Sequence, residues 1–163
     1  GARQTYEMII ESAPKHPLAH RLLDALLAET LSTEDRSAYW DNVMRTYPEA
    51  AEPRVCRALL CLEAGDGANG LSLLREAAAL APDDPAVQSR FGAAAYAQCA
   101  WDEAETALRA AIRLQPADGQ HRLLLVQTLL AKGDLPAATE AHAECEALGI
   151  SLPPELRQRI LAP

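Results

Sequence analysis

His16 and His20 stand four residues apart, the spacing that sets two imidazoles on one face of a helix, where they could share a metal ion. Pro17 lies between them, so His16 is expected in the connection ahead of a helix. No nearby cysteine or carboxylate completes a ligand set, and no metal site is predicted. The four cysteines, Cys56, Cys61, Cys99 and Cys145, form no C-x-x-C pair. All four are expected as small hydrophobes filling helix contacts, unbridged and without metal. Gly65-x-Gly67-x-x-Gly70 matches the dinucleotide-binding fingerprint by letter. That fingerprint needs a strand before it, and here a helix rich in Leu, Ala and Cys precedes it, so the glycines read as a turn between helices. Asp83-Asp84 and Asp102-Glu103 precede helices, where carboxylates favour the helix N-terminus, and His142 is expected in packing. With no G-x-S-x-G and no H-E-x-x-H, the chain offers no catalytic residues and no cofactor site. It reads as a non-enzyme.

The elements that must hold these residues are helices. Hydrophobic residues make up 49% of the 163, aromatics only 4%, and most of the apolar content is Ala and Leu. Those two lose little side-chain entropy in a helix, and no stretch shows the strict alternation of a half-buried strand, so the fold class is all-α. The formal net charge of −8 repels phosphate backbones and anionic bilayers, which argues against nucleic-acid partners and membrane docking. The apolar run near Leu123–Val126 is far too short for membrane insertion. The first residues lack the apolar core of a signal peptide. Reduced cysteines suit a cytoplasmic location, and a periplasmic one stays open.

Pro14, Pro48, Pro82 and Pro116 are separated by 34 residues in each of three intervals. The clearest unit between such prolines runs from Pro85 to Asp118. It carries Phe91-Gly92, the turn Trp101-Asp102-Glu103-Ala104, then Ala104-x3-Leu108, Ala111 and Pro116. Small residues such as Gly92 and Ala104 let two antiparallel helices approach, Phe91 and Leu108 fill the space beside them, and proline stops the second helix. This period and pattern resemble the tetratricopeptide repeat family. The resemblance implies a right-handed superhelical solenoid of antiparallel helix pairs in one domain, 1–163. It would hold a half repeat over 1–16, four repeats at 17–50, 51–84, 85–118 and 119–152, and a capping helix over 153–163. The sequence departs from the pattern at Asp24 and Arg36 in the first repeat and at Arg54, Arg57 and Gly70 in the second. In the last, Ile150 replaces the closing proline.

In that family the first helix of each pair lines a concave groove that binds a peptide or helix of a partner protein. The repeat frame carries this surface onto Leu18, Arg21, Ala25 and Ala28, then Val55, Leu59 and Leu62. It continues with Ser89, Arg90, Ala93 and Tyr96, then Leu123, Gln127 and Leu130. Of the charged clamp that some members use for a terminal carboxylate, only Arg90 is in place, with Arg21 nearby in the preceding frame. The resemblance therefore implies a protein-interaction scaffold, with self-association as a further option. The alternatives are a recognition arm of a larger glycosyl-, sulfo- or hydroxyl-transferring enzyme, or a secretion chaperone.

Overall fold

A computed structural model describes residues 1–161. It contains ten helices and no strand among those residues: α1 (Ala2–Ser12), α2 (Pro17–Ala28), α3 (Thr33–Thr46), α4 (Glu52–Glu63), α5 (Gly67–Leu80), α6 (Pro85–Ala97), α7 (Trp101–Leu114), α8 (Gly119–Lys132), α9 (Leu135–Ala147) and α10 (Pro154–Leu161). Among the described residues, no helix is long and apolar enough to cross a membrane. The chain forms two compact units, Gly1–Pro82 and a second from Asp83 onward. Residues 162 and 163 of the expected cap lie outside the described residues.

The periodic prolines act through the residue before them. Ala13, Tyr47, Ala81 and Gln115 close α1, α3, α5 and α7 with φ of −143°, −127°, −130° and −131° and ψ of 76°, 71°, 66° and 78°. The proline ring bars its predecessor from the helical region, so each of these helices ends two residues before its proline. Ile150 exerts no such constraint, and α9 ends instead through Gly149 at φ 72°. Several helices start on a capping side chain. Asp84 accepts from Ala86 N (2.9 Å) and Val87 N (3.2 Å), Asp118 from Gln120 N (2.8 Å), and Ser32 Oγ from Asp35 N (3.1 Å). His16 caps α2 in the same way, through Nδ1 and Ala19 N at 3.3 Å.

How closely a hairpin packs follows the size of two facing side chains. Gly92 and Ala104 hold α6 and α7 tightest, and Ala58 and Gly70 hold α4 and α5 nearly as close. Val126 against Ala138 leaves α8 and α9 somewhat looser, and Asp24 against Arg36 leaves α2 and α3 with the sparsest contact. A Cβ on Gly92 would stand 2.8 Å from Leu108 Cγ, and one on Gly70 2.7 Å from Leu62 Cδ2. In the open hairpin a polar network occupies the gap. Arg36 Nη2 donates to Asp24 at 2.8 Å, and the indole of fully buried Trp40 donates to the same carboxylate at 2.7 Å. Buried His20 lies beside Trp40, its Nε2 2.7 Å from Pro14 O, and burial pushes its pKa down. The two arginines expected at apolar places in α4 also find acids on second helices: Arg54 meets Glu76 at 3.0 Å and Arg57 meets Asp41 at 2.9 Å.

Each unit has its own core. In the first, Leu23, Leu27, Trp40, Val43, Cys56 and Leu60 pack with Ile10 of α1. In the second, Leu125, Leu129, Ala138 and Cys145 pack with Leu156 and Ile160 of α10, which covers this cluster, while Leu161 faces outward. Three hairpin turns share one closure. Asp66 N, Ala100 N and Asp134 N donate back to Cys61 O, Ala95 O and Leu129 O at 2.8, 2.9 and 2.9 Å, around left-handed residues Gly65, Cys99 and Gly133. Cys99 therefore corrects the expectation that all four cysteines fill helix contacts. It is exposed, at φ 58°, in the place where the other two turns have glycine.

Candidate functional site

In the second unit α6 and α8 lie side by side, both first helices of their pairs. Gly92 and Ala95 of α6 are buried toward α7, which leaves Ser89, Arg90, Ala93 and Tyr96 on the less buried side. On α8, buried Leu125, Val126 and Leu129 leave Leu123, Gln127 and Leu130 half-buried at the surface. The Tyr96 ring is braced edge-on by Trp101, with centroids 5.4 Å apart.

The electrostatics of this pair are one-sided. Neither α6 nor α8 contains an Asp or Glu, in a chain of net charge −8. The basic side chains of α8 are engaged elsewhere: Arg122 with Glu144 at 3.0 Å, and Lys132 with Asp102 at 2.6 Å and Glu105 at 3.0 Å. Those two acids hold the Lys132 ammonium in its charged form well above its ordinary pKa, and Lys132 in turn pulls Glu105 down. Arg90 differs. Its Nη1 is buried and has no hydrogen-bond partner among the described residues, so that N–H has left water without an acceptor in return.

The corresponding face of the first unit is built differently. Arg21 forms a two-pronged pair with buried Glu52, at 2.5 and 3.3 Å, so it is not a free receptor for an anion. Val55, expected to line the groove, is 1% exposed. Leu62 closes over Gly70 within its own hairpin. Leu59 is half-buried, Ala25 and Ala28 are exposed, and Leu18 is 54% exposed. Leu22 and Leu124 share the register of Arg90 at multiples of 34 residues. Leu22 is exposed on α2 and Leu124 half-buried on α8. Among the described residues no three His, Cys, Asp or Glu side chains converge as a metal-binding set.

Residues 62–125 match the tetratricopeptide repeat family. No curated protein matches the sequence. Among solved structures, the chain is similar to a crystal structure of MamA, with a TM-score of 0.68 and 14% identity over 91% of this chain and 81% of that one. A MamA fragment (41-end) from Desulfovibrio magneticus RS-1 gives 0.65 and 17% over 90% and 83%. YrrB, described as a TPR protein with an unusual peptide-binding site, gives 0.69 and 15% over 88% and 74%. At these identities the likeness is one of fold. Prolines at a 34-residue period, hairpins closed on small side chains and the match over residues 62–125 are features that this chain shares with the tetratricopeptide repeat family.

Proposed function

We propose that the chain is a protein-interaction scaffold, built of repeats 17–50, 51–84, 85–118 and 119–152, whose α6–α8 face takes an extended segment or helix of a partner protein. The observation that carries this reading is Arg90, a partly buried guanidinium with an unpaired Nη1 on two helices that lack acids. A carboxylate or carbonyl of the partner offsets the desolvation of Arg90 through a charge-assisted hydrogen bond. Ala93, one turn further along α6, is exposed and leaves room for the ligand chain. Tyr96 adds stacking area, and Leu123 and Leu130 supply apolar contact from α8. YrrB, as a TPR protein described by its peptide-binding site, supports the class of ligand. Arg21, paired with Glu52, contributes to the first unit's own stability rather than to recognition.

The test is Arg90→Ala combined with Ala93→Glu, titrated against a cognate peptide recovered by pull-down, with circular dichroism as the control for folding. The double variant is expected to lose about 1–3 kcal/mol of binding at unchanged helix content. Equal affinities for the two folded proteins would move the partner to another surface.

A further inference from the structure

A second recessed site lies on elements that the proposed function does not use. Between α1 and α3, in the first unit, is a cavity of about 270 Å³. Its floor includes Ile10 and Val43, 4% and 7% exposed. Glu7 and Glu11, one turn apart on α1, line one wall, and Tyr39 and Tyr47 line the other. The lining holds two carboxylates and two aromatic rings and no basic side chain.

The chain shows which cation this chemistry favours. Arg3 Nε donates to Glu7 at 2.9 Å while its Cζ lies 5.9 Å from the Tyr39 ring centre. A guanidinium thus already rests on one carboxylate and one ring of the lining. Burial, reinforced by the charge of Glu7, raises the Tyr39 pKa to about 12, so the ring stays uncharged. Glu11, one turn on, has no partner among the described residues and lines the same cavity. Glu11 and the Tyr47 ring line the same cavity, so it offers a second carboxylate and a second ring beside the pair that Arg3 uses.

We propose that the cavity between α1 and α3 is a receptor for an arginine side chain presented by a partner protein. Arginine fits better than lysine because its planar fork can meet a carboxylate with two parallel N–H groups while its face lies on a ring. An ammonium is more strongly hydrated and offers no plane to stack. The apolar floor of Ile10 and Val43 suits the methylene stem of the side chain. The inference is independent of the α6–α8 reading, and neither result bears on the other.

The experiment is a two-dimensional NMR titration of the full 163-residue chain with N-acetylarginine methylamide. The lysine and alanine analogues are run beside it at matched ionic strength. The expected result is saturable shifts of the Tyr39, Val43, Tyr47 and Glu11 resonances in the millimolar range, smaller with lysine and absent with alanine. Glu11→Gln should weaken the arginine response about threefold, and Glu11→Lys should abolish it; the site is exposed enough for both to fold. Shifts scattered over other acidic surfaces, or no change in affinity in Glu11→Gln, would overturn the site. Equal responses to arginine and lysine would overturn the choice of occupant.

Discussion

Cys99 occupies a left-handed backbone position, at φ 58°, that glycine fills in two sister turns. A Cβ there strains the backbone by about 1–3 kcal/mol, and the exposed side chain returns little through packing. Glycine would relieve that strain at some cost in unfolded-state entropy, so Cys99→Gly is expected to stabilise the protein by about 1 kcal/mol. A rise in the urea midpoint at constant slope is the readout, and an unchanged midpoint would mean the turn holds no strain. Asp24 is the opposite case, a residue whose removal strands its neighbours. Its carboxylate holds both Arg36 and the Trp40 indole, and the Asp24 and Arg36 side chains are only 17% and 13% exposed. Asp24→Ala leaves a guanidinium and an N–H buried without a partner, and about 3 kcal/mol of stability should be lost. The double variant Asp24→Ala/Arg36→Ala should recover part of that loss, because the orphaned charge is gone. Additive losses in a double-mutant cycle would show that the two side chains are not coupled.

Hairpin closeness is a property of elements, and the glycines test it. Gly92→Ala gains about 1 kcal/mol of helix propensity. It also places a methyl 2.8 Å from Leu108 Cγ and 3.4 Å from Leu108 N. Leu108 is fully buried and has nowhere to retreat, so overpacking of about 1–3 kcal/mol decides the sign. The expectation is a net loss near 1 kcal/mol in chemical denaturation. Gly119→Ala is the matched control. Its Cβ would meet Ile150 at 3.4 Å, an ordinary contact, so the variant should equal or slightly exceed the wild type. A Gly92→Ala protein as stable as Gly119→Ala would remove close approach as the reason for Gly92.

At the scale of the whole molecule, cohesion is uneven. The α4/α5 and α6/α7 hairpins are the most densely packed within their units, whereas α1 rests chiefly on α2, and α10 makes few contacts with α8 and α9. Repeat proteins gain stability from neighbour to neighbour, so elements with fewer neighbours open more readily. Native-state hydrogen exchange should find the lowest protection in α1 and α10 and the highest in α4 to α7. Uniform protection along the chain would contradict this ordering. The net charge of −8 keeps the molecule soluble. Against that acidic background a helix pair bearing only basic charge is distinctive.

The helices, their stops and their pairing are legible in the residues alone. A proline every 34 residues bars its predecessor from the helical region wherever the chain goes afterwards, and Gly92 with Ala104 marks where two helices must touch. Such rules are local, and one sequence contains everything they need. The partner of each polar group is set instead by proximity in the folded chain. Arg21 and Arg90 are both arginines of first helices and adjacent in the repeat frame, yet one is paired with Glu52, 31 residues away, while the other keeps a buried nitrogen without a partner. Asp24 and Arg36 look like departures from the repeat in sequence and prove to be a bonded pair in space. Val55 follows the helical period of its face and is nevertheless 1% exposed, because burial depends on which neighbouring segment covers that face. Charge pairing and burial are set by distances between segments remote in the chain, and no spacing within one segment encodes them.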